Sequence, residues 1–158
     1  MKKIIFLDFD GVMDTAYYDH VLSKEGLATT DRFGVLFDPD CVSNLRMIVE
    51  KTGAEIVVSS TWKDFMNYQE ILDMWQERNL PGVIIGVTPT VSNHRGNEID
   101  AWLEECKDDC QYAIIDDFDG SNFYSHQIEH LFVVNPYCGL DEDTATRVIA
   151  HLSINDKL

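Results

Sequence analysis

Basic side chains are scarce in this sequence. Lysine and arginine number 12 against 28 aspartates and glutamates, giving a net charge of -16. A field of that sign repels nucleic acid and anionic membrane. It also opposes phosphate compounds, unless cations or local basic groups reverse the sign at one place. Long apolar stretches are missing as well. The N-terminus runs into only four apolar residues, Ile4-Ile5-Phe6-Leu7, before Asp8 interrupts them. Such a run is too short for a membrane span or a secretory signal, so the expectation is a cytoplasmic protein with no membrane partner. Cysteines are few, at positions 41, 106, 110 and 138. Cys106 and Cys110 are four apart, so if they lay on a helix they would share one face, but no further pair offers zinc spacing, and reduced structural thiols are expected. The five histidines form no pair at metal-ligand spacing on one helix and read as structural or surface residues. There is no repeat, low-complexity tract or linker. With 158 residues, 45% of them hydrophobic, the chain reads as one domain, 1–158, able to bury a core without disulfides.

Apolar runs alternate with helical periodicity, the pattern of a parallel α/β sheet. Ile4–Leu7 reads as a strand buried on both faces. Asp38-Pro39 opens a helix, Val42, Leu45, Ile48 and Val49 repeat along it, and Gly53 stops it. Ile56-Val57-Val58 is the next strand. A helix over 65–79 carries Ile71, Leu72 and Trp75 and ends before Pro81. Val83-Ile84-Ile85 is a third strand. Ile99, Trp102, Leu103 and Cys106 predict a helix that begins near Gly96. Tyr112–Ile115 and Leu131–Val134 are the fourth and fifth strands, and Ala145, Val148, Ile149 and Leu152 mark a last helix. Residues 13–37 show no clear period. A connection that long is usually functional or has local structure of its own.

The acids matter by position. Asp8 and Asp10 follow the first strand directly, with Gly11 next; Ser59, Ser60 and Thr61 follow the second; Asp116 and Asp117 follow the fourth. In a parallel sheet these strand ends share one edge, where ligands bind. Converging carboxylates repel one another unless something compensates. A hard divalent cation with oxygen ligands does so, and Mg²⁺ takes one or two carboxylates plus waters and phosphate oxygens. Gly11 lets the chain turn sharply beyond the first pair.

Phe6-Leu7-Asp8-Phe9-Asp10-Gly11-Val12 resembles the first motif of the haloacid dehalogenase-like (HAD) hydrolase superfamily. Val57-Val58-Ser59 resembles the second, and Ile114-Ile115-Asp116-Asp117 the fourth. The third is a Lys or Arg near the start of a helix, for which Arg95 in His94-Arg95-Gly96 is the candidate, with Lys63 as competitor. All four motifs in order, over almost the whole chain, are a specific signal. The resemblance implies a Rossmann-like three-layer α/β sandwich. Its five-stranded, mostly parallel sheet would have strand order 5-4-1-2-3. No large cap domain fits, and residues 13–37 are the one candidate for a small lid. The string Ser59-Ser60-Thr61-Trp62-Lys63 also resembles small, nearly capless members, some suggested to act in nucleic-acid end repair, although those usually carry Arg at the position of Lys63.

The resemblance further implies phosphomonoester hydrolysis with Mg²⁺. Asp8 would attack phosphorus and form an aspartyl-phosphate. Asp10 would be general acid and then general base. Ser59 would donate to the phosphoryl oxygens, with Ser60 or Thr61 taking its place on a one-residue slip. One basic residue, Arg95 or Lys63, would offset the charge. Asp8, Asp10, Asp116 and Asp117 are the metal candidates, with the direct ligand among the last two left open. Asp119 reads as a turn residue beside Gly120. Trp62, Trp75 and Trp102 read as core, with Trp62 placed to line the pocket. The expected substrate is a small phosphorylated metabolite or nucleotide. A polynucleotide end phosphatase is the alternative among enzymes. A non-catalytic binding module of the same fold is the alternative from another class.

Overall fold

A computed structural model describes residues 1–157. Five strands form the main sheet: β1 (Lys2–Leu7), β4 (Glu55–Val58), β5 (Ile84–Val87), β6 (Cys110–Asp116) and β7 (Leu131–Val133). Every pairing is parallel, in the order β5-β4-β1-β6-β7. Counting only these five along the chain, that is the order expected from the motifs. β1 sits at the centre, so its end and the ends of its neighbours β4 and β6 lie side by side.

The central strands are buried on both faces, and their side chains alternate between them. Ile5 and Leu7 of β1 enter one apolar cluster, while Ile4 and Phe6 enter the other. The first cluster is covered by helices α2 (Pro39–Thr52), α3 (Tyr68–Glu77) and α5 (Glu142–Leu152), and the second by α4 (Arg95–Glu105). The result is a three-layer α/β sandwich. Sequence signals explain the helix ends. Asp38 caps α2 by accepting from the Asp40 N–H, and Gly53 closes it in the left-handed region, φ 71°. Among the described residues no helix is long and apolar enough to cross a membrane.

Residues 13–37, which show no clear period in the sequence, have local structure of their own: they hold α1 (Ala16–Lys24) and a hairpin of two-residue strands, β2 (Thr30–Asp31) and β3 (Gly34–Val35). The only buried side chain in α1 is Leu22, so it shows no apolar stripe. The helix expected over 65–79 starts at Tyr68, because Asn67 and Glu70 make a reciprocal capping box there. A 3₁₀ turn, Thr61–Asp64, precedes it. Cys106 and Cys110 do not share a helix. Cys106 ends α4 and Cys110 opens β6, with the two free sulfurs 3.4 Å apart.

Candidate active site

The ends of β1, β4 and β6 bring the expected residues to one edge. Asp8 follows β1 and is buried, its N–H bonded to the Ile115 carbonyl of β6. The Phe9 N–H donates to Asp8 Oδ1 at 2.8 Å. Asp116 ends β6, fully buried, and accepts from the Phe118 N–H. Carboxylate oxygens of Asp8, Asp116 and Asp117 all lie within 4.8 Å of one another. Gly11 is what lets Asp117 in. Its φ is +76°, and a Cβ there would come within 2.6 Å of Asp117 Oδ2 and 2.9 Å of Pro136.

Electrostatics match this crowding. Burial pushes the Asp8 carboxyl well above its ordinary value of 3.8, and the neighbouring Asp116 charge pushes it further, against the pull of Arg95. Asp116 is raised too, chiefly by burial, with Arg95 and the Phe118 N–H opposing. Asp116 Oδ2 has no hydrogen-bond partner among the described residues. Three carboxylates with a buried, unpartnered oxygen are the donor set a hard cation requires. The residues therefore fit the expected metal ion.

Arg95 is the first residue of α4, which His94 caps through Nδ1 by accepting from the Asn97 N–H. This turn is anchored by buried Gln127, which donates to the Gly96 carbonyl at 2.8 Å and to Asp100 at 2.7 Å. The Arg95 guanidinium reaches Asp8 Oδ1 at 3.6 Å and Asp116 Oδ2 at 3.7 Å, and donates to the Ser59 carbonyl. It also packs 4.7 Å beneath the centre of the Phe118 ring. Ser59 is buried, and its hydroxyl has no partner among the described residues. Ser60 is occupied, since its Oγ accepts from the Trp62 N–H.

Two expected residues lie elsewhere than expected. Lys63 does not reach the carboxylates. Its Nζ pairs with Glu98 at 2.9 Å and donates to the Thr88 hydroxyl at 3.0 Å, with both ion-pair members buried. Asp10 stands outside the cluster of three carboxylates. Its side chain is exposed, and Oδ1 accepts from Trp62 Nε1 at 2.7 Å. Beside it stands Asp14, whose carboxyl is raised by burial and by contact with Asp10. Phe118 and Asp14 were not singled out from the sequence. The one signal for Asp14 was its place four residues beyond Asp10.

Ser60, Thr61, Arg95 and Phe118 line a cleft of about 190 Å³ next to the cluster. A larger cavity, about 580 Å³, is lined by Asp38, Asp40, Asp141 and Glu142 without any lysine or arginine, so no basic side chain there offsets the charge of an anion.

The family described as "HAD domain in Swiss Army Knife RNA repair proteins" matches residues 4–145, nine-tenths of the chain. The chain belongs to this family. No curated protein and no solved structure matches it. As a HAD domain it is, at the level of the superfamily, a phosphatase-type hydrolase. The matched span covers every candidate discussed above, from β1 to Asp117, and includes residues 13–37.

Proposed function

We propose that this HAD domain hydrolyses phosphomonoesters with Mg²⁺ through an aspartyl-phosphate at Asp8. The observation that supports it most is the meeting of Asp8, Asp116 and Asp117 around Arg95 at the end of the central strand. The three carboxylates would hold the cation, which neutralises charge and orients the phosphoryl group when bound. An Asp8 oxygen forms a bond to phosphorus as the ester P–O bond breaks, and the leaving oxygen takes a proton from Asp10. Water then attacks the phosphorus and gives its proton to Asp10. The acyl-phosphate P–O bond breaks, and inorganic phosphate leaves. Ser59 Oγ and the Arg95 guanidinium are the donors for the transferring oxygens.

The first test is release of inorganic phosphate from a nitrophenyl phosphate. The second is mass spectrometry of an Asp10→Asn variant quenched during turnover. An adduct on any residue but Asp8 would overturn the assignment of the nucleophile.

Arg95 and Lys63 separate by their surroundings. Arg95→Ala should lower turnover by about 10²–10³, the usual effect of losing a donor to the transition state. Lys63→Ala should act on stability instead, since it leaves Glu98 buried without its partner, at a cost of about 3–5 kcal/mol. Turnover and melting temperature of the two variants check this. A silent Arg95→Ala beside a folded but inactive Lys63→Ala would transfer the role to Lys63.

For the substrate we favour a small phosphorylated metabolite or nucleotide. The net charge of -16 leaves little to gain from contacts along a polyanion, and the cleft is small. A terminal phosphate on RNA is the second reading, favoured by the family's description. Catalytic efficiency on a phosphorylated mononucleotide and a phosphorylated oligonucleotide, compared as salt rises, decides between them. A large oligonucleotide preference that fades steeply with salt would establish the RNA end.

A further inference from the structure

Asp10 has an unusual setting for the acid and base of the reaction proposed above. It is an exposed side chain just before the left-handed Gly11, and Asp14, whose carboxyl is in contact with it, carries no positive charge to hold it. A free carboxylate there would move among rotamers. One donor fixes it: Trp62 Nε1 at 2.7 Å from Oδ1. That indole is itself immobile. Trp62 is buried, set edge-on to Phe9 at 5.3 Å and tilted against Phe37 at 5.7 Å. The β2–β3 hairpin closes over its outer side. Gly34 lies so close that a Cβ there would stand 3.3 Å from the ring. Arg78 ties the hairpin down, bonding Asp31 at 2.7 Å and the Gly34 carbonyl at 3.1 Å, and lies 5.9 Å from the Trp62 ring centre.

We infer that Trp62 is a positioning residue for Asp10, and that the 13–37 segment works as a brace for this indole. The inference rests on the phosphatase reading and adds a residue to it. Packing alone does not account for the contact. A phenylalanine would keep an aromatic ring against Phe9 and Phe37, whereas only the indole supplies an N–H toward an acid on the open side of the sheet edge. The N–H holds one oxygen. In the proposed reaction the other oxygen would serve the leaving group and, later, water.

Trp62→Phe removes the N–H and keeps an aromatic ring. A general acid matters most for poor leaving groups, and kcat/KM reports the step that breaks the ester bond. The variant is expected to lose about tenfold or more in kcat/KM on an alkyl phosphate, and less than about twofold on a nitrophenyl phosphate. An equal fall on both, or none on either, overturns the inference. A folding readout runs beside it. In NMR spectra the Trp62 indole N–H resonance, assigned in the wild type, should shift in Asp10→Ala, which keeps Trp62 in place. An unmoved resonance overturns the inference even where Trp62→Phe fails to fold. The two proposals also fail differently. Wild-type hydrolysis that is lost in Asp8→Asn while Trp62→Phe shows a flat response sinks the role of Trp62 alone. No hydrolysis of any ester by the wild type sinks both.

Discussion

Asp8→Asn is expected to abolish turnover and to leave the fold intact. Removing a nucleophile costs a factor on the order of 10⁵ or more, because nothing else can make the covalent bond. Asn keeps the shape and an oxygen for the Phe9 N–H, which now holds Oδ1 at 2.8 Å. It also removes a carboxyl that burial and Asp116 force the cation-free fold to hold protonated, far from its ordinary value. Without added cation the variant should therefore melt at or above the wild-type temperature. Phosphate release and thermal unfolding on the same preparation check both halves. Residual turnover above about one per cent would remove Asp8 from the nucleophile's place.

The second large effect is that of the cation. Excess chelator should reduce phosphate release to background, and added Mg²⁺ should restore it. Asp8 and Asp116 give this a pH signature. Their carboxyls are raised above the ordinary 3.8, so the cation-free fold holds protons that the unfolded chain releases. Stability without cation therefore falls as pH rises from the ordinary value through the raised ones. Mg²⁺ competes with those protons, so its stabilisation grows over the same interval. The rise in melting temperature on adding Mg²⁺ should be larger near pH 8 than near about pH 6. Full activity in chelator, or a Mg²⁺ effect that shrinks as pH rises, would remove the three carboxylates from the metal site.

Much of this site was legible because its residues sit where apolar runs stop. Asp8, Ser59 and Asp116 each follow a strand directly, and parallel strands place their ends together without further information. Arg95 was legible as a helix start. What stayed hidden depends on contacts between distant segments. Glu98 captures Lys63 from 35 positions further along, and in the sequence it reads as an ordinary helix-surface acid. The bond from Trp62 to Asp10 spans 52 positions. Residues 13–37 gave no period because most of α1 is in solvent and the hairpin strands have two residues each.

The two apolar layers are unequal. One buries 26 residues beneath three helices, and the other buries six, with Ile99 the single fully covered apolar side chain that α4 sends into it. Local opening costs least where the least surface is sealed. Helix α4 is thus the natural weak plank of the domain, the place where amide hydrogens should trade with solvent well before those of β1 or β6. Arg95 rides on its first turn. Each such fluctuation would withdraw the only guanidinium facing Asp8 among the described residues and leave the carboxylates mutually repelling. A bound phosphoryl group, which takes hydrogen bonds from that guanidinium, would then act as a latch on α4. In that sense ligand occupancy and the firmness of one whole layer are a single equilibrium.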